Sequence, residues 1–359
     1  MNVERIDDLR RFDEERPRWE HVERNDPHAT VFMSWRWLRA YFAHPRHRWT
    51  VLALRDGDET VAYLPLARGG SWLDRELYLG GNPTADYTGM LALPDRAEQA
   101  VAAFADAVLR EPWDAFNVED TLDPRMETLV RRLVQRGGVR VEHTDETRCR
   151  SVALPATWDA YITETISAKT RVNMLRVERR LAEALPNFRV SEPVADDLAA
   201  HVDAMIAVNH DRWGGNIRAA RRRYGALFEA AFAQGVLRMF VYWDGARPIA
   251  GATAFVDDLR SSFGLYMLGF DAEYDKFSPG KGLIGRAVRT AIEAGYARFD
   301  FLRGDEPFKA RYAPELHVTK HYRLLRPGLR AGAIAYARPK ALALKLMLAK
   351  LRYGADRSL

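Results

Sequence analysis

The sequence predicts an α/β protein of two tandem units, each a mixed, largely antiparallel sheet flanked by helices. Three observations predict it. An apolar hairpin centred on Asp-Gly occurs once in each half, the same further strand, helix and strand follow each hairpin, and a glycine-rich loop opens the helix of the second set. With 359 residues, 47% hydrophobic and 29% charged, the chain can bury a sizeable core and fill two domains of ordinary size.

The first hairpin lies in Trp49-Thr-Val-Leu-Ala-Leu-Arg-Asp56-Gly57-Asp-Glu-Thr-Val-Ala-Tyr-Leu, the second around Asp244-Gly245 between Leu237-Arg-Met-Phe-Val-Tyr-Trp and Ile-Ala-Gly-Ala-Thr-Ala-Phe. Asp-Gly suits the left-handed backbone that a two-residue turn requires. Strands at 76–80 and 262–270 follow, then helices at 95–110 and 281–294, then strands at 114–119 and 298–302. Helices at 157–166 and 168–185 begin the second unit. Met174, Val177, Leu181 and Leu185 recur at helical spacing and face the core, while Lys169, Arg171, Arg176, Arg179 and Arg180 face outward; Pro186 ends the helix. The expected division is 1–150, 151–330 and a carboxy-terminal basic amphipathic helix in 331–359, whose apolar face suits its own domain or a membrane surface.

No run reaches the roughly 18 apolar residues of a membrane span, and the first residues lack the apolar core of a signal peptide, so a cytoplasmic location is expected. The lone Cys149 excludes an internal disulfide and a multi-cysteine metal site, and reads as a strand residue. No HExxH occurs. His317 and His321 share one face of a strand without an evident third ligand, which reads as a surface pair, and no metal is expected. The net charge of +5 and the arginine clusters, including Arg218 and Arg221 to Arg223, suit an anionic or phosphorylated ligand.

The segment Phe277-Ser278-Pro279-Gly280-Lys281-Gly282-Leu-Ile-Gly285 joins a strand to a helix through closely spaced glycines. Such a turn lets backbone N–H groups converge at a helix N-terminus, where a phosphate is favoured. A dinucleotide fold requires the strand to run straight into the first glycine. Here the polar connector Asp271-Ala-Glu-Tyr-Asp-Lys276 intervenes, so another phosphate-binding fold is expected.

The order helix, helix, antiparallel strands, glycine loop with helix, strand and terminal strands resembles the GNAT acyltransferase superfamily. Its Arg/Gln-x-x-Gly-x-Gly/Ala motif falls on Phe277-Ser-Pro-Gly280-Lys-Gly282, with both glycine positions matched and Phe277 at the basic or amide position. Ser-Lys-Thr-Arg171-Val-Asn173-Met-Leu-Arg176-Val-Glu-Arg179-Arg180-Leu, Ser278-Pro279-Gly280 and Phe299-Asp-Phe-Leu-Arg-Gly304-Asp305-Glu306-Pro-Phe-Lys309-Ala-Arg311-Tyr312 resemble the BioF2-like, CelD-type branch, tandem GNAT proteins related in architecture to the Fem aminoacyltransferases. The first half resembles it in architecture only.

The resemblance implies direct transfer of an acyl group from acyl-CoA, held in the second domain, to an amine or hydroxyl of a small-molecule or saccharide acceptor. Fem relatives use aminoacyl-tRNA, which is the alternative donor; a non-catalytic binding module is the alternative in another class. In the GNAT pattern Leu268 and Gly269 line the pantetheine site, and Ser278, Pro279, Gly280, Lys281 and Gly282 hold the pyrophosphate. Acyl transfer needs no side-chain nucleophile, only a carrier channel, an oxyanion donor and a route for the proton. Asp305 is the candidate amine anchor or base, or else a cap for the following turn. Lys309 and Arg311 offer cations, with Glu306 nearby, and Tyr312 is either the acid for the leaving thiolate or a packed core residue. Arg171, Asn173 and Arg176 are acceptor-binding candidates, or else a solvated helix face. Trp213 with His210 and Arg212 is a candidate pocket loop, and Asp86 and Tyr87 are expected to face the acceptor across the domain interface, in a first half without a carrier cradle.

Overall fold

A computed structural model describes residues 1–70, 75–209 and 216–326. The strands are β1 (Asn2–Ile6), β2 (Arg48–Asp56), β3 (Glu59–Gly70), β4 (Arg75–Leu79), β5 (Leu91–Ala92), β6 (Ala115–Thr121), β7 (Arg140–Ala153), β8 (Phe188–Ser191), β9 (Leu237–Asp244), β10 (Arg247–Asp257), β11 (Ser262–Phe270), β12 (Arg298–Arg303) and β13 (Glu315–Leu325). The helices are α1 (Leu9–Glu14), α2 (Arg16–Asn25), α3 (Trp35–Phe42), α4 (Ala97–Arg110), α5 (Pro124–Gly137), α6 (Trp158–Ala160), α7 (Ala168–Ala184), α8 (Leu198–Ala207), α9 (Ile217–Ala220), α10 (Ala226–Ala233) and α11 (Pro279–Glu293).

Both Asp-Gly hairpins form, β2 with β3 and β9 with β10, and Gly57 and Gly245 take the positive φ that the turn needs. The expected helix at 157–166 is α6 continued as a π turn over Tyr161–Thr165. Ser167 caps α7 by accepting the Thr170 N–H, and Met174, Val177 and Leu181 are buried as their spacing requires. They pack on α11, which begins with Pro279 in its first turn.

The described strands form one sheet in the order β1-β2-β3-β4-β6-β13-β7-β12-β11-β10-β9-β8, with β5 paired to β3. β7 and β13 run antiparallel along its centre. β7 follows the first half in sequence yet pairs with β12 of the second, and β13 ends the second half yet pairs with β6 of the first. Each half therefore lends its last strand to the other, and the expected division at residue 150 falls inside β7. The cores join as well. One apolar cluster surrounds α4 and α5, another surrounds α7 and α11, and a third packs Phe32 and Trp37 of the first half on Phe255 of the second.

In both halves two neighbouring parallel strands part. β11 and β12 pair only from Ser262↔Arg298 to Gly264↔Asp300, and β4 and β6 only from Glu76↔Ala115 to Tyr78↔Asn117. A left-handed residue, Leu302 in β12 and Asp120 in β6, turns each departing strand. The sheet thus has two forks, one in each half.

Candidate functional site

The second fork is open. Leu268 and Phe270 on β11, Asp275, Ser278, Gly280, Lys281 and Ile284 at the start of α11, and Phe308, Arg311 and Tyr312 after β12 enclose a cavity of about 220 Å³. A second cavity of about 270 Å³ adjoins it, lined by Ser167, Lys169, Thr170 and Asn173 of α7 together with Lys281, Arg311 and Tyr312. Lys281, Arg311 and Tyr312 are common to both, so the two form one cleft. Its first part carries most of the apolar groups, and the lining of its second part holds three cationic side chains and no carboxylate.

The sequence explains how these groups converge. Ser278 sits at the start of α11 with φ +54°, and its hydroxyl accepts a hydrogen bond from Lys281 Nζ at 3.2 Å instead of capping the helix. The N-termini of α7 and α11 therefore meet at the basic end, where each helix adds partial positive charge. Gly280 has room on its open side, because an added Cβ lies 3.6 Å from Phe270 and 3.7 Å from Leu268, across the cleft. Tyr312 is buried, and burial pushes its hydroxyl up to about 12, so it is protonated at neutral pH.

Leu268, Ser278, Gly280, Lys281, Arg311, Tyr312 and Asn173 are thus brought together as cleft-lining residues, Asn173 in the same part as Lys169 and Thr170. Pro279 starts α11 and is buried behind them. Gly269 and Gly282 are absent from the linings of both cavities. A Cβ at Gly269 would sit 2.4 Å from Asn209, and one at Gly282 would sit 2.8 Å from Val177 and 2.9 Å from the Tyr242 hydroxyl, so both glycines permit close packing away from the cleft. The second glycine of the motif is a helix-contact residue here, and so is Gly285, whose Cβ would meet Met174 at 2.7 Å.

The catalytic candidates divide. Asp305 is paired with Arg150 at 2.9 Å and Arg148 at 3.9 Å, outside the cleft lining. Lys309 is buried and its ammonium donates to the carbonyls of Arg303 at 2.8 Å and Gly304 at 2.9 Å, while Glu306 pairs with it at 2.7 Å. These are loop-building contacts; of the three catalytic candidates, only Tyr312 lines the cleft. Arg171 donates to the Ile162 carbonyl at 3.1 Å, and Arg176 is exposed on the outer face of α7. Trp213, with His210 and Arg212, lies outside the described residues.

The first fork is filled by its own chain. Thr88 donates its N–H to the Asp120 carbonyl and its hydroxyl to the Glu119 carbonyl, so residues 80–90 occupy the space where β4 and β6 part. Asp86 and Tyr87 turn toward the second half instead of toward an open site. Asp86 accepts the Arg303 N–H at 3.1 Å, and the Tyr87 hydroxyl donates to Asp300 Oδ1 at 2.9 Å and lies 2.9 Å from His317 Nε2. His321 lies 2.9 Å from the Thr147 hydroxyl and 3.3 Å from Asp120. The expected surface histidine pair is therefore partly buried between the halves, a consequence of the strand exchange that the two halves' separate patterns do not announce. Among the described residues no group of three or more His, Cys, Asp or Glu is arranged to hold a metal, and no helix is long and apolar enough to cross a membrane.

Sequence reasoning did not single out Phe270, Ile284 and Phe308, or Ser167, Lys169 and Thr170, as site residues. Phe270 and Ile284 fall within an expected strand and an expected helix, and Lys169 among the outward-facing cations of α7, whose cap is made by Ser167 on Thr170.

Comparison with known proteins fits this geometry. Residues 168–310 match the family model described as an acetyltransferase (GNAT) domain. No curated protein matches the chain. Among solved structures, FemX superposes with a TM-score of 0.58 at 12% identity, over 90% of this chain and 97% of that one. A tandem GNAT protein from the clavulanic acid biosynthesis pathway gives 0.56 at 10% identity, over 91% and 99%. L-PGS from Bacillus licheniformis gives 0.52 at 13%, over 90% and 96%. At these identities the likeness is one of fold. Residues 168–310 are similar to a GNAT domain, and the chain shares the fold of these solved structures over about nine-tenths of its length.

Proposed function

We propose that this protein is an acyltransferase that binds an acyl-CoA in the cleft of its second half and passes the acyl group directly to an amine or hydroxyl of a small-molecule or saccharide acceptor. One observation carries the reading: a cleft at the parting of two parallel strands has an apolar part and, joined to it, a basic part at two helix N-termini. That order of surfaces suits a pantetheine arm followed by phosphates. The division into residues 1–150 and 151–330 belongs to the same reading, with the first half degenerate as a carrier domain because its fork is filled and β7 shared by both.

In this mechanism Lys281, Arg311 and Lys169 neutralise the phosphates, and the α11 start at Ser278 and Gly280 supplies close backbone approach. The free edge of β11 beyond Gly264 offers backbone groups to the arm and to the thioester carbonyl oxygen, which gains charge as the acceptor attacks. Tyr312, protonated at neutral pH, is the group in the cleft suited to donate to the departing thiolate. The acceptor's proton passes to solvent, the C–S bond breaks as the new C–N or C–O bond forms, and Tyr312 gives its proton to the leaving sulfur and regains one from solvent, with no covalent enzyme intermediate.

The test is calorimetric titration of the full chain with acetyl-CoA and longer acyl-CoAs, beside Lys281→Met and Arg311→Met. Saturable binding is expected, weakened roughly tenfold by either change, as for loss of one charge-assisted hydrogen bond. Absence of wild-type binding sinks the CoA reading. Strongly salt-dependent binding of aminoacyl-tRNA would then put a different donor in the same fold.

A further inference from the structure

We infer that the first half acts on the cleft of the second as a positioning device, with Tyr87, Asp86 and Asp120 holding the fork at which β11 and β12 part. The inference rests on the cleft described above as the donor site. Asp300 stands at the vertex, since Gly264↔Asp300 is the final pair before the strands separate. Its Oδ1 accepts the Leu302 N–H at 2.6 Å, which supports the left-handed turn at Leu302, and the Leu302 side chain packs 3.1 Å from where a Gly264 Cβ would lie. The same oxygen accepts the hydroxyl of Tyr87 from the first half.

The next residue is held from the first half as well. Arg303 gives its N–H to Asp86, and its guanidinium pairs with both Asp86 and Asp120. From Arg303 the order passes along the chain. Lys309 ties back to the carbonyls of Arg303 and Gly304, and this closes the loop that presents Phe308, Arg311 and Tyr312 to the cleft. Three first-half side chains, a left-handed turn and one buried ammonium thus connect the filled fork of one half to the wall of the open fork in the other. A first half that binds no carrier still has a reason to keep Asp86 and Tyr87, because a wall misplaced by about 1 Å is enough to impair an acyl transfer site.

The experiment compares wild type, Tyr87→Phe and Asp86→Asn by hydrogen–deuterium exchange, reading peptides over 303–312 and, as a reference, over α4. Both variants are expected to speed exchange at 303–312 by roughly fivefold to tenfold, Tyr87→Phe by losing its buried hydrogen bond to Asp300 and Asp86→Asn by losing the ion pair with Arg303, while α4 is unchanged. Unchanged exchange at 303–312, or equal acceleration in α4, overturns the inference, the latter because the residues would then matter only for global stability. Titration with acetyl-CoA on the same samples separates the two readings. Weaker binding in Tyr87→Phe with local loosening supports both, whereas local loosening in a protein that never binds CoA upholds the coupling and removes the proposed donor.

Discussion

Asp300 shows how much one buried carboxyl can report. Burial raises its pKa to about 7, against roughly 3.9 for an exposed aspartate, in surroundings that also hold Tyr87, Asp86, Cys149, His317 and Arg298. The folded protein therefore binds this proton more tightly than the unfolded chain. Its contribution to stability is fully present below about pH 4 and is lost as pH rises through about 7, at up to roughly 1.4 kcal/mol per pH unit. Urea titrations from pH 4 to 8 should show Asp300→Asn with a flatter profile than wild type over that window, and parallel profiles would refute the assignment. Lys309 gives a second residue-level prediction. Its ammonium satisfies two carbonyls, so Lys309→Met should lower unfolding free energy by about 2 kcal/mol in denaturant melts, chiefly through unpaired buried acceptors. A loss below about 0.5 kcal/mol would show that water replaces it freely.

Among elements, the contact of α7 with α11 decides what the glycine loop can do. The spacing Gly280, Gly282, Gly285 is legible as a phosphate cradle, but only Gly280 faces the cleft, while Gly282 and Gly285 let Val177 and Met174 approach the α11 backbone. A glycine pattern records that a Cβ is unwelcome without saying which neighbour excludes it. Gly282→Val should therefore destabilise the fold by roughly 1–3 kcal/mol through overpacking, seen as a lower Tm. Its folded fraction should still bind acyl-CoA; a variant of unchanged Tm that no longer binds would return Gly282 to the cradle. The hairpins, the succession of strand, helix and strand after each, and the burial of Met174, Val177 and Leu181 were all legible, because each depends on local turn chemistry or on helical spacing.

At the scale of the whole molecule, the exchange of β7 and β13 joins the two halves in one sheet. β13 has a partner from the first half on one side and β7 on the other, and the third apolar cluster crosses between the halves. Thermal unfolding should give a single calorimetric transition with calorimetric and van't Hoff enthalpies in agreement, and two resolved transitions would show that the halves melt separately. Repetition was readable in the chain, since an Asp-Gly hairpin followed by strand, helix and strand is a pattern of neighbours in sequence. Ser278, Gly280, Lys281, Arg311 and Tyr312, all singled out in the chain, line one cleft. The roles of Asp86, Tyr87, His317 and His321 were not readable, and neither was the pairing of Asp305 with Arg150. Those contacts join residues far apart in the sequence and exist because two strands cross into the opposite halves. Periodicity and turn chemistry act over a few residues, so local sequence carries the elements and their order; which fork stays open, and which side chains hold it, follows from long-range pairing in the folded sheet.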